Sequence, residues 1–176
     1  GPRLALVQPA VAHGLDRDRV AYVQIKQLAL ANRQVQPGDA DLVVFPENAV
    51  ITYIEGSSHL RGFQELVRRL GILVLAGVAT RVEEDLVRWK RGEPERGIPV
   101  GDRLFARTHN TAAVITSEGV VAKYEKVHLL PFSEMLPGES LFEAVGMLDG
   151  YRSFVVGVLG YLGTGVPGSG VKLLRI

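Results

Sequence analysis

Glu47 stands directly after the apolar run Leu42-Val43-Val44-Phe45 and Pro46. In open α/β sheets ligands gather beyond the carboxyl ends of the strands, and a carboxylate there is placed for general-base work. The same position suits an acid in the first turn of a helix, favoured by the helix dipole. Position alone leaves both readings open. Lys126 follows a second apolar stretch and lies beside His128 in "KYEKVHLLPFSEMLPGE". An ammonium at a partly buried site stabilises a developing oxyanion; the plainer reading is a solvated lysine. Glu134, in the same loop, is either a partner that orients Lys126 by a charge-assisted hydrogen bond or an ordinary loop acid. Leu129, Leu130, Phe132, Met135 and Leu136 are threaded between these charges, as in a loop that lines a site. Asn110 lies inside an apolar strand and must satisfy its amide, either in the site or elsewhere. His128 reads first as a structural hydrogen-bonder. The four histidines (His13, His59, His109, His128) have no metal-ligand spacing, so no metal and no cofactor is expected.

These residues need elements to hold them. "RLALVQPAV" is an apolar run stopped at Pro9, which cannot donate to a central ladder. A helix is expected next, with Asp16 as its N-cap and Val20, Ala21, Ile25, Leu28 and Ala29 near helical spacing. After the turn "QPGDA", "DLVVFPE" reads as a strand buried on both faces. "SSHLRGFQELVRRLG" sets Leu60, Phe63, Leu66, Val67 and Leu70 on one stripe and stops at Gly71. "ILVLAGVAT" is the next apolar strand. Residues 81–103, dense in both charge signs, read as a solvated excursion or insertion. "LFARTHNTAAVIT" and "VVAKY" flank Ser117-Glu118-Gly119 and predict a hairpin. Residues 153–171 carry no charge but many glycines and Pro167. Each Gly costs a helix roughly 1 kcal/mol relative to Ala and a Pro about 3. That predicts a buried strand followed by a Gly-rich loop, with a membrane-touching loop as the alternative. The order of elements is that of one α/β layered domain over residues 1–176.

Composition narrows the partners. The 176 residues are 47% hydrophobic, enough for one domain with a core. A formal charge of +1, with no basic cluster interleaved with aromatics, argues against nucleic acid. There is no cysteine, hence no disulfide, no thiolate metal site and no thiol nucleophile. No apolar run makes a membrane-spanning helix. The opening Gly1-Pro2, without an initiator Met or signal segment, reads as a cleavage scar or as a chain cut from a longer one.

"DLVVFPENAV" is similar to the first signature of the nitrilase (carbon–nitrogen hydrolase) superfamily, an apolar strand ending in Pro-Glu. "KYEKVHLLPFSEMLPGE" resembles its second. Pro-Phe-x-Glu-x-x-Pro within it resembles the apolipoprotein N-acyltransferase branch, as do "ALVQP" and "HNTAAVI". The resemblance implies a four-layer αββα sandwich, here without its C-terminal part, and a Glu–Lys–Cys triad. Glu47 matches the base, Lys126 the oxyanion stabiliser and Glu134 an accessory glutamate near the lysine; Asn110, His128 and Phe132 are expected to contact substrate. The implied chemistry is two-step acyl transfer through a thioester. The donor is a membrane phospholipid and the acceptor the N-terminal amine of a lipoprotein, at the extracytoplasmic face of the inner membrane.

The triad's cysteine is missing. In compact nitrilases it ends a strand soon after the lysine loop, which would put it near Gly160 in "FVVGVLGY". In the acyltransferase branch the interval is longer, and "GSGVKLLRI" resembles the strand that leads into it; the second placement agrees with the lysine-loop motif. This chain is expected to be inactive by itself, as a piece of a longer protein or a degenerate relative. Two rival readings stand beside the acyltransferase: a soluble, cytoplasmic nitrilase-type amidase, and a non-catalytic relative used for binding or assembly.

Overall fold

Strand β1 (Leu4–Leu6) is followed by α1 (Arg17–Gln34), β2 (Leu42–Val44), β3 (Val50–Tyr53), α2 (Ser58–Leu70) and β4 (Leu73–Arg81). The chain continues through α3 (Glu83–Lys90), β5 (Ile98–Val100), β6 (Arg103–Phe105), β7 (Thr108–Thr116), β8 (Gly119–Glu125), α4 (Glu139–Ala144) and α5 (Leu148–Leu159). The computed structural model describes residues 1–8, 17–171 and 173–174, with the side chains of α1 from residue 25 onward. Pro9, His13 and the Asp16 cap lie outside the described residues, as do the side chains of Val20 and Ala21. Two compact units form: Gly1–Thr80 with Asn110–Glu125 and Val171–Ile176, and Arg81–His109 with Lys126–Gly170.

The first unit holds a six-stranded sheet in the order β1-β2-β4-β7-β8, with β3 also paired to β4. β1, β2 and β4 run parallel, in register Leu4↔Leu42 and Leu42↔Leu73. Parallel neighbours need a crossover, and α1 and α2 supply it. β7 and β8 form the expected antiparallel hairpin. Along β4 the even-numbered residues Val74, Ala76, Val78 and Thr80 are buried while Leu73 and Leu75 are half-buried. Val74, Ala76 and Val78 join Val43, Phe45, Phe63, Leu66 and Ile115 in one core. β2 is therefore covered more on one face than the other. Val43 is fully buried but Leu42 and Val44 are not.

Helix α2 shows why this sequence is helical here. The Ser57 hydroxyl accepts the Leu60 N–H at 3.1 Å, capping one of the donors that a helix start leaves unpaired. Phe63, Leu66, Val67 and Leu70 recur at helical spacing and are all buried. Gly71 ends the helix at φ 69°, its N–H on the Val67 carbonyl. Arg69 bonds the carbonyls of Ala31 and Val35, binding the end of α1 to α2. Of the predicted α1 stripe, Leu28 packs against the core but Ile25 does not. Gln27 and Ala31 are buried, and Ile25 is 63% exposed. α1 mixes polar and apolar residues on every face, so packing against α2 selects the inward one.

In the second unit lies the segment expected to be a solvated excursion or an insertion. It carries α3 and the antiparallel pair β5–β6. Asp85 has no exposure. Its carboxylate accepts the Arg96 N–H at 2.9 Å and the Arg107 guanidinium at 3.1 Å. Paired this way, a carboxylate can leave water. Arg81 meets Glu95 at 2.7 Å and lies over the Trp89 ring. Val100, Leu136, Val155 and Leu162 form this unit's core.

One expectation is corrected here. Residues 153–159 are the end of helix α5, not a strand. Tyr151, Val155 and Val156 pack into or against the core. Their burial outweighs the roughly 2 kcal/mol that Gly150 and Gly157 cost the helix. Gly160 is its left-handed cap at φ 77°. The compact placement of a nucleophile at a strand end near Gly160 fails, because no strand ends there.

Two stability tests follow from this packing. Leu66→Ala should destabilise the fold by about 2–5 kcal/mol, whereas Ile25→Ala should change it by less than about 0.5, both read by urea unfolding. Comparable losses would return Ile25 to the core. Asp85→Ala should cost roughly 3 kcal/mol, because it leaves Arg107 and the Arg96 N–H short of an acceptor. A shift within error would mean that water replaces the carboxylate.

Candidate active site

Glu47 is set at the carboxyl end of β2 by backbone contacts. The Phe45 N–H bonds the Leu75 carbonyl at 2.8 Å, continuing the ladder one residue past the strand. The chain then turns through Pro46, Glu47 and Asn48. Asn48 adopts φ 56°, a left-handed conformation that Asn tolerates better than most residues. Ala49 bonds back to the Pro46 carbonyl at 3.3 Å, and Gly77 of β4 donates to that same carbonyl. A Cβ at residue 77 would lie 2.6 Å from the Glu47 Cα and 2.7 Å from the Pro46 oxygen. Only glycine lets β4 come this close to the turn.

The carboxylate so placed is exposed at the surface, and the Asn110 amide donates to its Oε1 at 2.6 Å. Asn110 is on β7, next to β4 in the sheet. The buried hydroxyls of Thr80 and Thr111 meet at 2.7 Å and lock the two strands beside it. The amide fixes the direction in which that oxygen points. Sequence reasoning placed Asn110 in the site region; the contact to Glu47 gives it a specific partner.

Lys126 and Glu134 meet in the second unit. The Lys126 Nζ is 3.0 Å from both carboxylate oxygens of Glu134. The two side chains are 31% and 18% exposed, so the pair is less screened than a surface ion pair. Glu134 Oε2 also accepts the Leu130 N–H at 2.8 Å, while the Leu130 carbonyl takes the N–H groups of Glu134 and Met135. The loop closes on itself through these bonds. The Phe132 N–H reaches the Met135 carbonyl at 2.7 Å, and Phe132 sits at φ 62° with half its surface exposed. His128 is exposed. Leu136 is 2% exposed and anchors the loop in the core, whereas Leu130 points outward.

Sequence reasoning missed the glycines. Gly77 interrupts an apolar strand, a pattern that signals close backbone approach and could have been read in "LVLAGVAT". Gly163 and Gly165 do the same for the lysine loop. A Cβ on either would lie 2.8 Å from the Met135 nitrogen or 2.6 Å from the Glu134 oxygen.

The carbon–nitrogen hydrolase family profile matches residues 3–165. Among curated proteins, an apolipoprotein N-acyltransferase of Bradyrhizobium diazoefficiens is 28% identical over 155 residues, covering 83% of this chain and 26% of that protein. An apolipoprotein N-acyltransferase of Rhizobium meliloti is 31% identical over 147 residues, 81% of this chain and 25% of that protein. The chain thus spans about a quarter of the length of these relatives. Among solved structures, a CN-hydrolase superfamily protein from Xanthomonas campestris, with an arsenic adduct in its active site, aligns over 73% of this chain and 42% of its own. Its identity is 20% and its TM-score 0.48. With its mixed α/β architecture and a family match over nearly its whole length, this chain belongs to the carbon–nitrogen hydrolase family.

Proposed function

We propose that this chain supplies the base and the oxyanion group of an apolipoprotein N-acyltransferase-like domain. The observation that carries the reading is the loop pair: a lysine held at 3.0 Å by both oxygens of one glutamate. Such a group is an oriented cationic donor rather than a mobile surface cation. Two further observations support it: the carboxylate of Glu47 bonded to a neutral amide, and relatives named for this activity.

In this reading Glu47 removes the proton from a cysteine thiol contributed by the longer protein. The thiolate attacks the ester carbonyl of a phospholipid. The carbonyl oxygen becomes an oxyanion beside the Lys126 ammonium, which Glu134 keeps in place. The protonated Glu47 returns its proton to the departing lysophospholipid oxygen, leaving a thioester. The amine of the lipoprotein acceptor attacks next and Glu47 takes its proton; the C–S bond breaks, the amide product leaves, and Glu47 returns the proton to the departing thiolate. Asn110 orients Glu47, and His128 and Phe132 lie where the lysine loop meets substrate. The mechanism requires Glu47 and Lys126 to act on one acyl centre.

The donor's chains lie in a bilayer, so an apolar surface is needed. No helix among the described residues is long and apolar enough to cross a membrane. On α5, Phe154 and Val158 are four residues apart on one helical face and are 67% and 65% exposed. Leu141, Val145 and Met147 are also exposed. In this reading these side chains enter the acyl region at the extracytoplasmic face.

Two experiments on the full parent enzyme test the proposal. Glu47→Gln should lower acyl transfer from phospholipid to a lipopeptide by about 10²–10⁴, and Lys126→Ala by about 10²–10³. Glu134→Gln should fall between wild type and Lys126→Ala. Retained transfer in Lys126→Ala would end the acyltransferase reading, and hydrolysis of small amides with no transfer would install an amidase. The double variant Phe154→Ser/Val158→Ser should slow transfer from vesicle phospholipid by about tenfold or more, since each buried apolar side chain contributes roughly 1.5–3 kcal/mol. Turnover of a short-chain soluble ester should be unaffected. Equal losses on both substrates would exclude membrane docking through α5.

A further inference from the structure

The Gly-rich segment after α5 has no part in the chemistry above, yet it touches both members of the lysine–glutamate pair through the backbone. Leu162 is buried in the second unit's core and anchors one end. The Gly165 N–H donates to the Glu134 carbonyl at 2.6 Å, and Thr164 bridges Met135 in antiparallel fashion. Further along, the Gly168 N–H donates to the Lys126 carbonyl at 2.9 Å. On its other side the segment is fastened to the start of β7. The Val166 N–H donates to the Thr108 carbonyl at 2.8 Å, the Thr108 N–H donates to the Thr164 carbonyl at 3.3 Å, and His109 Nδ1 lies 2.8 Å from the Val166 carbonyl. The Thr164 hydroxyl reaches the Ala106 carbonyl at 2.5 Å.

Residues 162–168 are thus laid between Thr108–His109 and the lysine loop. The fit leaves no room for side chains at two points. A Cβ at Gly163 would lie 2.8 Å from the Met135 nitrogen and 3.0 Å from the Glu134 carbonyl carbon, and one at Gly165 would lie 2.6 Å from the Glu134 oxygen and 3.3 Å from Leu129. These are backbone obstacles, so relief requires the loop to move. By contrast a Cβ at Gly157, within α5, meets nothing within 4 Å.

We infer that residues 162–168 are a backbone strap whose glycines Gly163 and Gly165 are positioning residues for the Lys126–Glu134 pair. The strap holds the carbonyls of Lys126 and Glu134 at a fixed separation, and the side chains meet because their backbones are held. The inference rests on the proposed role of Lys126 only for its catalytic meaning; the geometry is open to measurement without catalysis.

The test is competitive acetylation of the 176-residue protein with trace acetic anhydride from pH 7 to 10, mapped by peptide mass spectrometry, with exposed Lys90 as internal standard. A lysine paired with a carboxylate is held in its unreactive protonated form. In the wild type Lys126 should react more slowly than Lys90. In Gly165→Ala its rate at pH 8 should rise at least about threefold relative to Lys90, because the displaced loop parts the pair. Gly157→Ala should match the wild type. Circular dichroism reports whether each variant is folded. Should Gly165→Ala not fold, Gly163→Ala and Thr164→Val, which loosen the same strap, take its place with the same expected rise. A folded strap variant whose Lys126 profile overlays the wild type would overturn the inference. Loss of the acyltransferase reading through an active Lys126→Ala parent enzyme would leave the labelling result standing, so the two failures are separable.

Discussion

Strand β4 can approach the turn at Glu47 only because residue 77 has no side chain, and the first unit is organised around that approach. β4 pairs with β2, β3 and β7. β2 delivers Pro46 and Glu47. β3 begins straight after the turn and pairs Val50 with Val78, the residue next to Gly77. Three residues past Gly77, Thr80 bonds Thr111 on β7, which places Asn110 beside it. A Cβ at residue 77 would push on the turn at 2.6 Å, and the ladder around it ties that turn to three strands. The carboxylate is therefore positioned by main-chain geometry, which has fewer soft torsions than any side-chain support.

The two glutamates of the candidate site are held by different means. Glu47 is exposed, and it accepts the Asn110 amide from a strand that the sheet brings alongside. Glu134 is mostly covered; both its oxygens face the Lys126 ammonium, and one also accepts the Leu130 N–H of its own loop. Strand order therefore fixes the partner of Glu47, whereas the closure of a single loop fixes those of Glu134.

Much of this was legible in the sequence, for identifiable reasons. The stripe of α2, its Ser and Gly ends and the β7–β8 hairpin follow from local periodicity and turn chemistry, and they appear at the expected residues. Local signals failed where distant packing decides. α1 presents no dominant apolar face, so Ile25 went to solvent and Gln27 inward. α5 contains two glycines that weigh against a helix, and its core contacts outweigh them. Within residues 81–103, read as a solvated excursion or an insertion, nothing local to Asp85 announces that Arg107 will meet it. In the site, Lys126 and Glu134 share one loop and were linked in advance, whereas the pairing of Asn110 with Glu47 depends on strand order. The glycines that seat both carboxylates could have been found, since each interrupts a run whose neighbours are apolar or packed.

The lysine loop's mixture of charges and apolar residues resolves into separate duties. Leu136 is buried and ties the loop to the core, which a loop serving only to carry charge would not need. Lys126 and Glu134 neutralise each other within the loop and so need no bulk water around them. Leu130 and Phe132 face outward, and Phe132 does so from a left-handed backbone conformation that a bulky residue adopts at a cost. Neither the core nor the ion pair accounts for that outward placement. Folding alone would favour a polar residue, or a glycine at the left-handed position. An apolar side chain at a strained, exposed position of the loop that carries the ion pair is what the proposed function asks of a surface that would meet an acyl chain.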